Sequence, residues 1–477
     1  MINLEYDKVI KDWIEKNRDR IVNEWIEISK IPAIKGEAEP GAPFGKVCMD
    51  ALCRCAALFE DKGFKTQVYR ESGYSLSETG NGESVIGLFG HSDVVPVSDD
   101  WIYAKPFEPV VIDGTLIGRG VEDNKSGIMA ALCAMEIIRD EKIPVKSKIQ
   151  TFIGSDEETG MTDITAFAND QKMPDVSLVL DADFPCSIGE KSICHFWAEC
   201  GDSLSDILEF KGGEAFNVVL DRADIVLRYS EKLFDELKEK TEKKEAFNLE
   251  KNDDTIKLSA KGVAMHACMP EGSCNAARLA AELLSELSEL CEQDRAIMAD
   301  TAHILGCHYG TTMSLEHDDI RFGKLTFVNG IVKTVDGKLA LSFDTRFSST
   351  LDPDEFVTKA KNEFSEKGWS VEVESCMKGF SIADDSPIPD RLVEIYNAIT
   401  GFDEKALRLG GGTYARKLDN AFSVGTKTSR ADRKTPFLEM PDGHGGVHQS
   451  DEMIDLEAFF DAVRIITHYI INIDECL

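Results

Sequence analysis

No run of this chain approaches the ~20 consecutive apolar residues that a membrane-crossing helix needs. Its opening segment, MINLEYDKVIKDWIEKN, mixes acidic, basic and apolar residues and has no apolar signal core. Positive charge is scarce as well: 53 Lys and Arg face 86 Asp and Glu, a formal net charge of −33. That field repels phosphate backbones and anionic lipid, so no nucleic acid and no membrane is expected as a partner. The acid excess by itself is what a solvated acidic surface carries. CxxC pairs are missing too. The thirteen cysteines are an odd number, and several (Cys133, Cys194, Cys291) lie in apolar helical or strand-like surroundings. In a chain of this size they point to reduced core thiols of a cytoplasmic protein rather than a disulfide framework. Cys53 and Cys55 have a CxC spacing that could bind metal, but the Leu and Ala around them fit helix packing. There is no repeat, low-complexity tract or coiled coil.

What is present is enough for more than one core, since 477 residues exceed an ordinary single domain. Residues 5–30 carry Ile, Trp and Val at helical spacing and predict one or two amphipathic helices, with another over about 44–62. SVIGLFGHSDVVP (84–96), SKIQTFIGSDEE and VSLVLDAD are short, apolar and β-branched, and read as buried strands. A helix follows Asp123. Strands alternating with helices predict an α/β domain with a mostly parallel, helix-covered sheet. From about 191 the texture changes to charged helical stretches (222–246, 276–300) mixed with alternating segments such as TIKLSAKGVA and KLALSFDTRF. This is α+β patterning and predicts an inserted domain. After Asp384 come a helix, a Gly-rich turn, the strand NAFSVG and a final helix over about 454–472. The expected organisation is therefore 1–190 and 385–477 as one domain, with 191–384 inserted as a second.

Chemistry gathers at a few short motifs. GHSDVVP (90–96) ends an apolar strand with His91, and Asp93 two residues on can accept the second imidazole N–H. GRGVEDNKSG (118–127) places Asp123 before a helix, where it can cap the helix or bridge two cations. Its GxG is too short for a dinucleotide fingerprint. SDEETG (155–160) stacks three acids whose repulsion a cation would relieve, so that Glu158 can ligate while Glu157 stays free as a base. DADFP (181–185) offers Asp181 or Asp183, and PDGHGGVHQSDE (441–452) offers His444 or His448. Several imidazole and carboxylate donors, one of them shared, are what two cations a few Å apart require. Three of these motifs end strands, and in parallel sheets ligands gather at the carboxyl ends. His195, His303, His308, His317 and His468 sit in no comparable context.

GHSDVVP, GRGVEDNKSG, SDEETG, DADFP and HQSDE stand in the order and approximate spacing of the co-catalytic zinc peptidases that include carnosinase, aminoacylase and carboxypeptidase G. The chain resembles that family over nearly its whole length, and most closely the branch of bacterial dipeptidases typified by PepV. The resemblance implies one metal on His91 and Asp181, another on Glu158 and His448, and Asp123 bridging them. It favours Asp181 over Asp183 and His448 over His444, although Leu180 replaces the usual proline. It makes Glu157 the general base, with Asp93 beside His91, and implies a cis Asp123–Asn124 peptide. KGGEAFNVVLDRA (211–223) is similar to a lid segment whose asparagine, Asn217 here, faces the substrate; NVVL stands for the usual NMVP. AKGVAMHACMPEGSCNA (260–276) offers His266 as donor to the oxyanion, and FDTRF offers Arg346 to grip a carboxylate. GGGTYARKL (410–418), without the GK[ST] ending of a phosphate loop, would line the substrate pocket through Gly411, Thr413 and Arg416. The implied activity is hydrolysis of dipeptides with a free N-terminus, using two divalent ions, zinc in the first place with manganese or cobalt binding the same donors. The substrate partner would be a small peptide, the protein a monomer by analogy. N-acyl amino acid deacylation or carboxypeptidase action is the alternative, and a non-catalytic peptide binder a third.

Overall fold

This computed structural model describes residues 2–383, 386–428, 438–441 and 443–477. It divides into two compact units. The first comprises Met1–Gly189, Ile382–Leu407 and Thr413–Leu477; the second comprises Glu190–Ser381 and Arg408–Gly412. The boundary expected between 384 and 385 lies outside the described residues.

In the first unit the sheet runs in the order Lys65–Tyr69, Tyr74–Thr79, Lys148–Gly154, Val85–His91, Val176–Ala182, Ala421–Gly425, Ser187–Glu190. The four central strands, from Lys148–Gly154 to Ala421–Gly425, are parallel to one another. The flanking strands on both sides pair antiparallel, so the sheet is parallel at its centre and mixed at its edges. Val85–His91 is buried along its whole length, which is why it reads as a continuous apolar run rather than an alternating one. Helix Lys125–Asp140 is buried from Lys125 to Ile138. A helix apolar all round belongs inside a core, and the helices Asp7–Ser29 and Leu456–Asp474 share that core with it. Trp25 packs on Phe459 with ring centroids 4.3 Å apart. Residues 7–29 form one helix rather than two, and residues 46–61 form the next. Cys55 is buried within the latter, as helix packing requires.

The second unit is built of antiparallel sheets and helices. One sheet has the order Ile207–Lys211, Arg222–Arg228, Thr255–Lys261, Phe247–Lys251; another contains Thr326–Val328, Lys338–Phe347, Ser192–Ser203 and Trp369–Met377. Two expectations are corrected here. Residues 222–228 are a strand, because Ala223, Ile225 and Leu227 alternate inward with period two. The helix begins only at Glu231, where the Ser230 hydroxyl accepts from the Leu233 N–H at 3.1 Å. Residues 276–300 hold not one helix but parts of two, Ala276–Ser285 and Glu292–Ile304, with Leu287 and Leu290 buried in the turn between them. Among the described residues no helix is long and apolar enough to cross a membrane.

Candidate metal centre

The parallel strands deliver three motifs to their carboxyl ends. Val85–His91 ends in His91, Lys148–Gly154 runs directly into the turn holding Glu157 and Glu158, and Val176–Ala182 carries Asp181. Asp123 precedes the buried helix Lys125–Asp140, and the Asp123–Asn124 peptide is cis, as the resemblance implies. The Asn124 side chain joins these pieces. Its Oδ1 accepts from the His91 N–H at 3.2 Å, and its Nδ2 donates to Asp181 Oδ1 at 2.9 Å.

Asp123 stands in the middle. His91 Nε2 donates to its Oδ1 at 3.0 Å, and His448 Nε2 lies 3.0 Å from its Oδ2. His448 Nε2 is also 3.1 Å from Glu158 Oε2, and His91 Nε2 is 3.7 Å from Asp181 Oδ2. Ligand atoms of His91, Asp123 and Glu158 lie within 4.8 Å of one another, and so do those of His91, Glu157 and Asp181. Asp183, two residues beyond Asp181, is exposed, since the strand ends at Ala182 and no longer holds it to the same face. His444 is turned elsewhere: its Nδ1 donates to Asp451 at 2.7 Å.

Asp93 differs in detail from its expected role. The His91 Nδ1 donates to the Asp93 main-chain carbonyl at 3.1 Å, with the carboxylate Oδ1 at 3.4 Å. The strand stops at His91, so strand periodicity no longer aims the Asp93 side chain. Its Oδ2 instead accepts from the Glu158 N–H at 3.1 Å. It thereby ties the histidine motif to the acidic turn.

Electrostatics follow from crowding four carboxylates in a buried place. Burial, with the charge of Asp181, pushes Glu157 well above the usual carboxylate range. Burial and the charge of Asp123 raise Glu158, and bring Asp181 up to about 7. Asp123 is the exception: burial would raise it, but the donors His448 and His91 hold it low. The imidazoles respond in kind. Burial opposes their charge, yet Asp123 with Asp93 raises His91, and Asp123 with Glu158 takes His448 up to about 11. Protons on two histidines thus neutralise part of the surplus negative charge. Glu157 Oε1 is buried without a hydrogen-bond partner among the described residues. A buried, unpaired carboxylate oxygen beside imidazole and carboxylate donors fits a cation site.

Other residues implied in substrate binding are distributed over both units. Thr413 and Arg416 lie in the first, where Thr413 Oγ1 pairs with Ser423 Oγ at 2.8 Å and accepts from Ala415 N–H. Asn217, His266, Arg346 and Gly411 lie in the second. The Asn217 carbonyl accepts from the Ala267 N–H at 2.8 Å, which sets its segment beside that of His266. His266 is exposed, and its Nδ1 accepts from the Cys268 N–H at 3.2 Å, which leaves the proton on Nε2. Arg346 is buried, with Nε and Nη2 donating to Asp344 at 3.0 Å each and Nη1 donating to the Gly410 carbonyl at 2.9 Å. Asn124, Glu452 and Tyr414, which the motif reading did not single out, are knitted into the first unit. Tyr414 OH donates to the buried Asp163, which also accepts from Ser155 and Asp156 N–H at the root of the acidic turn. The signal that could have found Glu452 was its place in HQSDE.

The family model of peptidase family M20/M25/M40 matches residues 87–472. A Staphylococcus aureus (strain bovine RF122 / ET3-1) protein that bears the name "Putative dipeptidase" is 27% identical over 472 residues, 95% of this chain and 97% of that one. The crystal structure of human carnosine dipeptidase 1 shares the fold with a TM-score of 0.61 at 13% identity, covering 98% of this chain and 99% of its own. The dipeptidase Dug1p from Saccharomyces cerevisiae gives 0.61 at 13% identity, with 98% of each chain covered. The match spans most of the chain and includes every residue of the cluster from His91 to His448, so this chain belongs to peptidase family M20/M25/M40 and is a hydrolase of the metallopeptidase class.

Proposed function

We propose that the protein is a dipeptidase with a two-metal centre. The observation that carries this is the cluster of His91, Asp123, Glu157, Glu158, Asp181 and His448, buried at His91 and Glu157 and open at His448, in which Asp123 presents one oxygen to each histidine. His91 and Asp181 would hold one divalent ion, Glu158 and His448 the other, and Asp123 both. Zinc suits these donors, and manganese or cobalt would bind them too. Bound there, the ions supply Lewis acidity toward the peptide carbonyl and acidify a water. Glu157 would take one proton from a water molecule whose oxygen bonds to the carbonyl carbon, and would pass that proton to the amine nitrogen as the C–N bond breaks. Its raised affinity for a proton suits both transfers. Substrate roles are proposed for residues of each unit: Nε2–H of His266 as an oxyanion donor, Arg346 and Arg416 for the substrate carboxylate, and Asn217, Gly411 and Thr413 as pocket positions. The domain roles (residues 1–190 with 385–477 catalytic, 191–384 the lid) are part of the same reading.

The name of the Staphylococcus aureus relative, aligned over nearly its whole length, supports dipeptides as substrates. The thirteen cysteines, all free and six of them buried, support a cytoplasmic location, and a monomer is supported by the resemblance alone. The test is hydrolysis of a small dipeptide panel and the N-acetylated forms by chelator-treated protein given zinc, manganese or cobalt. Free dipeptides are expected to be cleaved at least ~10-fold faster in kcat/KM. Glu157→Ala is expected to bind metal and lose turnover by ~10²-fold or more, the scale of general base catalysis. Preference for the acetylated forms would make the enzyme a deacylase instead, and undiminished turnover in the variant would remove Glu157 from its role.

A further inference from the structure

Glu452, four residues after His448, is completely buried and its carboxylate accepts four hydrogen bonds. Oε2 accepts from Arg119 Nη1 at 2.8 Å and from the Gly120 N–H at 2.9 Å. Oε1 accepts from the Glu122 N–H at 2.8 Å and from the Asp123 N–H at 3.0 Å. The Glu452 carbonyl also accepts from the Gly118 N–H, and the strand that follows, Met453–Asp455, pairs with Thr115–Ile117. One side chain therefore takes up three main-chain donors of the 118–123 turn, those of Gly120, Glu122 and Asp123. Within the turn Gly120 lies at φ +79°, in the left-handed region.

The neighbouring residue secures the other side. Asp451, equally buried, accepts from Ile102 and Tyr103 N–H and from His444 Nδ1. Gly445 N–H donates to the Ser450 carbonyl at 2.8 Å and closes a small loop. His448 sits within it at φ +62°, a left-handed conformation that needs support from its surroundings. Consecutive buried carboxylates thus moor the base of the loop that bears His448.

We propose that Glu452 is a positioning residue for the metal centre: its buried carboxylate fastens the turn of Asp123 to the loop of His448, so that both side chains reach the same cation. This rests on the two-metal reading above. The main-chain N–H of Asp123 is itself among the four donors, so a shift of Glu452 moves Asp123 directly. Asp123 Oδ2 and His448 Nε2 are 3.0 Å apart, on segments that are distant in sequence and joined here by this carboxylate. Groups that orient ligands in this way typically contribute ~10–100-fold to metal affinity or activity.

The experiment compares full-length wild type and Glu452→Gln by calorimetric zinc titration of the metal-free proteins, thermal melts of the same samples, and kcat and KM on a dipeptide. The amide is isosteric but turns an N–H₂ toward two N–H donors. At a temperature where both proteins are folded, the variant is expected to lose at least ~10-fold in zinc affinity. Its kcat is expected to fall by a similar factor while KM stays within ~3-fold. A lower melting temperature with unchanged zinc affinity and kcat would show a merely structural role and overturn the proposal. Should Glu452→Gln fail to fold, Glu452→Asp is measured instead. It keeps the charge but shortens the reach by one methylene; lost affinity in folded protein supports positioning, and wild-type affinity overturns it. Wild type that takes up no divalent ion would overturn the metal reading and this inference with it, whereas equal uptake by wild type and variant overturns this inference alone.

Discussion

Asp344 is fully buried, and burial alone would raise its pKa. The guanidinium of Arg346 and the donor His195 outweigh that and bring it down to about 2, from an ordinary 3.8. A carboxylate whose folded pKa is depressed stabilises the fold above its unfolded pKa, and that contribution is lost as pH falls through the folded value. The window here is about pH 4 to 2, and a shift of nearly two units is worth about 2 kcal/mol. Asp344→Asn is expected to be less stable at pH 7 by about 3 kcal/mol, since Arg346 is left buried without its partner. Its stability should also fall less steeply than that of wild type between pH 4 and 2. Urea unfolding at several pH values checks both; parallel curves would assign the acid sensitivity elsewhere. At this scale the motifs made most of the site legible. His91, Asp123 and Glu158 carried their local contexts in short runs of sequence. The choices between Asp181 and Asp183, or His444 and His448, could not be read from the residues, because each pair shares one motif and differs only in where the chain turns. The main-chain contact of Asp93 with His91 was hidden for the same reason: the strand stops at His91, two residues before Asp93.

Helix Lys125–Asp140 lies against the sheet at a distance set by its glycine. A Cβ on Gly127 would stand 2.5 Å from the Leu180 carbonyl oxygen and 2.5 Å from Asn124 Oδ1. Elsewhere in a helix, Gly→Ala stabilises by up to ~1 kcal/mol. Here the new methyl meets main chain, which cannot swing aside, so overpacking of ~1–3 kcal/mol should prevail. Gly127→Ala is accordingly expected to lower the urea midpoint, and a raised midpoint would mean that the helix stands off the strand. The buried strands were legible because short, largely apolar and β-branched runs bounded by Gly and polar turns suit little else. Residues 222–228 were harder. Their charged residues, Arg222, Asp224 and Arg228, mask the inward alternation of Ala223, Ile225 and Leu227, and only pairing with Thr255–Lys261 makes them a strand. Residues 286–291 likewise carry no proline or glycine to announce the break between two helices.

Across the whole chain, a net charge of −33 sets an electrostatic strain that no single pair relieves. At about 0.01 M salt charges interact over ~30 Å, and at about 0.15 M over ~8 Å. Metal-free protein is therefore expected to have a higher urea midpoint at the higher salt concentration; a lower one would show that attractive ion pairs outweigh the general repulsion. The same sequence, by itself, determined the family, the alternation of strand and helix, and the identity of the acids and histidines at strand ends. Those follow from local chemistry, as apolar runs must be buried and ligand motifs are short. Tertiary structure alone decided that His444 turns to Asp451 while His448 reaches Asp123, that Asn124 links His91 to Asp181, and that Glu452 gathers three main-chain donors of the 118–123 turn. Each of those depends on groups brought together from separate segments of the chain, and where the group is a main-chain N–H it has the same letter everywhere in the sequence.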